Sequence, residues 1–191
     1  MQIARHLSWI VMRAQVFALN LLGLHQQTVD RLRQMQAQRP DDFFVLTTLA
    51  HFLGQADQTR AEAITLLERA LVQGPESAAL HFNLAYLLEQ QRRMDEAEVS
   101  FRTAIAMDEK LDRAWYGLGL VLIQKGQADD ALQALKRNTE LQPMSPFGWY
   151  QLARLHVDRA EPDLAVAIIR HLQGFEPKVA EQLKRETGLK T

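Results

Sequence analysis

The feature that most constrains this chain is that it repeats itself. The pairs Leu49-Ala50, Leu84-Ala85, Leu118-Gly119 and Leu152-Ala153 follow one another at intervals of 35, 34 and 34 residues. Each is trailed by a second landmark: Ala63-x-x-x-Leu67, Ala97-x-x-x-Phe101, Ala131-x-x-x-Leu135 and Ala165-x-x-x-Ile169. Prolines close three of the copies, Pro75, Pro143 and Pro177, with Glu109 at that place in the second. Apolar residues around each landmark recur at steps of three and four, as in Trp115, Leu118 and Leu122, which predicts helices. Breaks such as Lys125-Gly126-Gln127 divide each copy into two helices. A pair of short helices cannot bury its apolar side alone, so such copies must stack on their neighbours.

Small residues explain how the pairs close. Ala50, Ala85, Gly119 and Ala153 let the first helix of a pair approach the second, and Ala63, Ala97, Ala131 and Ala165 do the same from the other side. Asp95, Asp129 and Asp163, each two residues before the second alanine, are placed to stabilise a helix N-terminus. These landmarks resemble the tetratricopeptide repeat, a 34-residue helix–turn–helix unit with the pattern W-x-x-L-G-x-x-Y, A-x-x-x-F and P. The resemblance covers about residues 43–177. It implies an all-α fold, a right-handed α-solenoid of antiparallel helix pairs. The expected modules are 43–77, 78–111, 112–145 and 146–177, with the copy at 112–145 the best formed and an extra residue in the turn Gly54–Arg60 of the first.

Two segments flank the array. Residues 1–42 read as an N-terminal helical hairpin. Ile3, Leu7, Ile10, Ala14, Phe17, Leu21 and Leu24 make one apolar stripe, and Trp9, Met12, Val16 and Leu19 make another on a different face. Gly23 ends that helix, and a second is expected from Thr28 with Val29, Leu32 and Met35 inward. Pro40 lies 35 residues before Pro75, so the hairpin is in phase as a degenerate repeat. The surplus apolar stripe gives a second reading, a homodimer built on Ile10, Phe17 and Leu21, or a helix that fills the chain's own groove. Residues 178–191 are expected to form a short capping helix, with Val179, Ala180 and Leu183 on one side and Gly188 as its stop.

Composition narrows the function. The chain of 191 residues has a net charge of −1, so it carries no electrostatic signature for nucleic acid or anionic lipid. Absence of cysteine removes disulfides, thiolate nucleophiles and sulfur metal ligands together. The apolar run Trp9–Leu24 is interrupted by Arg13, Gln15 and Asn20, which argues against a membrane span or signal peptide and for a cytoplasmic chain. Its polar face is too thin and too poor in Lys and Arg for an interfacial anchor. His6, His25, His51, His81, His156 and His171 show no metal-ligand spacing, and neither a nucleophile elbow nor a phosphate loop is present. His81 and His156 fall on landmarks where aromatic residues pack. The expectation is a non-catalytic protein that needs no cofactor.

What remains is binding. In the family that the chain resembles, the first helices line a concave groove, at positions flanking the landmark leucine. Carried over, these are Thr47 and His51, then Phe82, Asn83 and Tyr86, then Tyr116, Gly117 and Leu120, then Tyr150, Gln151 and Arg154. Arg113, Ile123 and Phe147 are expected nearby. Phe82, Tyr86, Tyr116, Phe147 and Tyr150 make an aromatic row, the kind of anchor that binding surfaces concentrate. One branch of the family grips a C-terminal carboxylate with Lys, Asn and Arg side chains. Only Asn83 and Arg113 match such a clamp here, whereas Thr47, His51 and Gly117 depart from it. The resemblance therefore implies a scaffold or adaptor that takes an apolar or amphipathic peptide of a partner protein.

Overall fold

A computed structural model gives the fold. It describes residues 2–74 and 77–190, with side chains from Ser8 onward in the first helix. Pro75, and the side chains of Ile3 and Leu7, lie outside the described residues. Among those described there is no strand: eleven helices follow one another, with one 3₁₀ turn at Asp57–Thr59 that holds the extra residue of the first copy. The chain divides into two compact units at residues 76 and 77.

The first unit holds α1 (Gln2–Leu21), α2 (His25–Gln38), α3 (Phe43–Leu53) and α4 (Arg60–Gln73). α2 begins a turn earlier than expected, because the Thr28 hydroxyl donates back to the Leu24 carbonyl at 3.0 Å instead of capping a helix start. α1 packs on α2 and α2 on α3. Of the two apolar stripes of α1, the packed one is Trp9, Met12 and Val16, all buried beside Leu32 and Met35. The Arg39 guanidinium closes over the Trp9 ring at 4.3 Å. Of the longer stripe, Ile10, Ala14, Phe17 and Leu21 are left outside. Asp42 caps α3 by accepting from the Val45 amide at 3.2 Å, while Asp41 pairs with Arg69 at 2.6 Å.

The second unit holds α5 (Ala78–Gln90), α6 (Met94–Met107), α7 (Asp112–Gln124), α8 (Ala128–Leu141), α9 (Pro146–Asp158), α10 (Pro162–Gln173) and α11 (Pro177–Thr187). Successive helices pack on one another, and α11 lies against both α9 and α10. The small landmarks Ala85, Ala97, Gly119, Ala131, Ala153 and Ala165 are buried, as the close approach requires. Three turns share one geometry. Arg92, Gly126 and Ala160 each take a left-handed backbone, with φ of 62°, 73° and 58°. The following amides of Arg93, Gln127 and Glu161 reach back to the carbonyls of Leu88, Leu122 and His156 at 2.9–3.0 Å. Only the middle turn has the glycine that this conformation favours.

Charge also repeats with the period. Lys125, in the turn after α7, binds Asp95 at 2.6 Å and Glu98 at 2.7 Å on α6. Thirty-four residues on, Arg159 binds Asp129 on α8 at 2.6 Å. α6 and α8 are thus each tied through their first turn to the next helix pair. The hydrogen bond from Lys125 holds the Glu98 carboxyl below its ordinary range. In the last pair His156 fills the buried place that Leu88 and Leu122 occupy earlier, and its Nδ1 meets Glu161 at 2.6 Å.

One contact departs from the repeat. Asn138, on α8, is buried and donates to the Asp112 carbonyl at 2.9 Å. Its other amide atom lies where a Cβ on Gly148 would come within 2.1 Å. The preceding copy has Ala104 and Ala114 at the matching places.

Three outcomes follow for stability. Gly148→Ala destabilises by about 1–3 kcal/mol through overpacking. Combining it with Asn138→Ala recovers much of the loss, as a double-mutant cycle in urea reads. Ala160→Gly, at a left-handed turn, raises stability by about 1 kcal/mol. Because the folded Glu98 pKa is depressed, its stabilisation is present above the ordinary glutamate value and is lost as pH falls through the folded one. The urea midpoint therefore drops less between about pH 6 and about pH 3 in Lys125→Met than in the parent chain.

Candidate functional site

Two aromatic clusters of the second unit take up expected groove residues. In the first, Phe101 projects from α6 with its ring centroid 6.0 Å from that of Phe82 on α5. Arg113, from the start of α7, lays its guanidinium 4.9 Å from the Phe82 centroid. Gly117 makes room for this stack: a Cβ there would stand 2.3 Å from the Phe101 ring. Gly117 therefore has a packing role against Phe101. Asn83 and Tyr86 lie outside this stack, exposed on α5, and Leu120 is half-buried on α7.

In the second cluster Tyr116 of α7, Pro146, Phe147, Tyr150 and Gln151 of α9, and Val179 and Gln182 of α11 line one open pocket of about 290 Å³. Phe147 is 67 % exposed at its rim. Tyr150 is not free at its polar end. Its hydroxyl donates to the Glu186 carboxylate of α11 at 2.6 Å, and the Arg154 guanidinium stands 3.5 Å from the same oxygen. Tyr150 and Gln182 together hold the Glu186 carboxyl below the usual range. A ring with its hydroxyl satisfied and one face toward the pocket presents apolar area without an unmet donor.

The expected site residues thus separate. Tyr116, Phe147, Tyr150 and Gln151 are brought together, with Arg154 behind them. Phe82 and Arg113 pair with each other instead. Val179, Gln182 and Glu186 of α11 were not among the expected groove residues. The sequence signal for them was the inward Val179 of an amphipathic end helix, read only as a cap.

In the first unit, Thr47 returns its hydroxyl to the Phe43 and Phe44 carbonyls of its own helix. His51 is exposed beside Phe52. Ile10, Phe17 and Leu21 stand 52 %, 70 % and 76 % exposed along α1. Ile10 and Phe17 line one side of an open pocket of about 430 Å³, with Phe44, Thr48 and Phe52 of α3 opposite. Among the described residues no group of three His, Asp or Glu side chains converges as a metal site, and no helix is long and apolar enough to cross a membrane.

Comparison with known proteins places this geometry. Two family models described as tetratricopeptide repeat match residues 55–111 and 90–146. The chain is 35 % identical over 82 residues to the cell division cycle protein 27 homolog of Caenorhabditis elegans, a match that covers 43 % of this chain and 10 % of that protein. It therefore spans about a tenth of that curated relative. Among solved structures it is similar to MamA, with a TM-score of 0.80 at 18 % identity over 95 % of this chain and 96 % of that one. It is also similar to YrrB, a tetratricopeptide repeat protein with an unusual peptide-binding site, with a TM-score of 0.78 at 17 % identity over 89 % and 88 %. At these identities the structural likeness establishes the fold. The repeated landmarks, the stacked helix pairs and the two family matches agree: the chain is a tetratricopeptide repeat protein.

Proposed function

We propose that this repeat protein is a scaffold that holds an apolar or amphipathic peptide segment of a partner protein across α7, α9 and α11. The observation that carries the reading is the pocket shared by Tyr116, Phe147 and Tyr150, three aromatic side chains from two helices around one opening. Aromatic anchors around a shared pocket are where binding energy concentrates. Gln151 and Gln182 supply amide donors and acceptors at its edge, so peptide backbone or polar side chains find partners without a fixed charge. The Phe101 ring beneath Gly117 and Thr47 at a clamp lysine position argue against a carboxylate clamp. An occupant with an apolar face suits this lining better than an acidic tail.

A random-peptide display selection against the whole chain tests the reading. The selected peptides share apolar positions at helical or alternating spacing. Tyr116→Ala and Tyr150→Ala each weaken them by about 2 kcal/mol, roughly 30-fold in Kd. Tyr150→Phe, which keeps the ring, has a smaller effect. Selected peptides that bind both alanine variants as tightly as the parent would sink the proposal.

A further inference from the structure

We infer that α1 is the seam of a homodimer, with the α1 of a second copy seated antiparallel in the channel between α1 and α3. The exposed stripe of α1 is not a generic apolar face. Ile10, Ala14, Phe17 and Leu21 step by four, three and four, the 3.5-residue period that one helix matches only with another. The opposite stripe of the same helix, Trp9, Met12 and Val16, is already consumed by its own unit. Among the described side chains α1 thus carries two apolar stripes, one of them covered.

The channel is open and lined mainly by apolar side chains. Ile10, Ala14 and Phe17 form one wall and Phe44, Thr48 and Phe52 of α3 the other, and the Arg13 guanidinium, part of the same lining, reaches to 4.1 Å from the Phe44 centroid. Size argues in the same direction. At 1.5 Å per residue α1 is about 30 Å long, and a helix some 10–12 Å across laid along it hides about 300–400 Å² on each copy. Contact with the α3 wall brings the total to about 1,000 Å², the lower limit for a specific interface. An interface of that size belongs with weak, reversible association.

Side-chain sizes select the register. In an antiparallel pair that sets Ala14 opposite the second copy's Phe17, the smallest residue of the seam meets the largest. Ile10 then meets the second copy's Leu21. The same register puts Arg13 beside the second copy's Ala18, so the two arginines do not face each other. α1 contains no acidic residue that could pair with them. A parallel pair would stack Phe17 on Phe17 and Arg13 on Arg13. The antiparallel arrangement avoids both.

Sedimentation velocity of the full chain, from about 2 to about 200 µM, tests this. The mass moves from 21.8 kDa toward twice that value. Phe17→Glu raises the dissociation constant at least tenfold with unchanged helicity, whereas Leu164→Glu, at an exposed apolar residue of α10, leaves it in place. A cysteine-free chain allows a register test. Under mild oxidation, Ile10→Cys chains mixed with Leu21→Cys chains form a disulfide-linked dimer, and neither variant does so alone. A monomer throughout the range overturns the inference, as does a dimer that Phe17→Glu leaves intact or one linked only within each variant alone. Tyr116→Ala with Tyr150→Ala leaves the dimer unchanged, so failure of the peptide reading and failure of this one are separable.

Discussion

The close approach of paired helices at alanine and glycine underlies everything else in this structure. Ala85 against α6, or Gly119 against Leu135, brings two backbones near enough for larger side chains to interlock around the contact. That spacing lets a helix of a dozen residues, marginal in isolation, gain its stability from neighbours. It also aligns the first helices side by side, so that residues from α7, α9 and α11 reach one pocket. A larger residue at any of these landmarks would lose stability and site geometry together.

Repetition is enforced by several weak devices acting in register. The left-handed turns at Arg92, Gly126 and Ala160 are set by their hydrogen bonds, and two of the three tolerate a side chain. The ion pairs of Lys125 and Arg159 bridge consecutive helix pairs at matching places. None is worth much alone, but a single turn or bridge out of phase would shift all that follows. The deviations are local exchanges, Asn138 with Gly148 and His156 with Glu161, in which a polar group enters the core together with its partner.

How much of this was legible beforehand depended on whether the information was periodic. Leu118, Gly119, Ala131 and their counterparts announce the helices, because packing demands the same small or apolar residue at each return. The face of α1 that packs inward could not be read, since both its stripes are apolar and the more regular one lies outside. Only the position of α2 decides between them. Likewise the bond from Tyr150 to Glu186 joins residues 36 apart on helices whose contact depends on the final turn. Gly117 shows the reverse case: the reason a side chain does not fit there, the Phe101 ring, lies on another helix.

The seating of α11 has a consequence for how occupancy of the pocket would be felt. Val179, Gln182 and Glu186 belong to an eleven-residue helix whose buried residues are Ala180 and Leu183. Elements with few buried apolar contacts open at lower free-energy cost than well-buried ones. A wall of the pocket is thus also an element prone to local opening. Any guest in contact with it favours the closed form by mass action. Ligation and the order of the last helix are then two sides of one thermodynamic linkage, and slowed amide exchange over α11 would report the guest without any change of shape elsewhere.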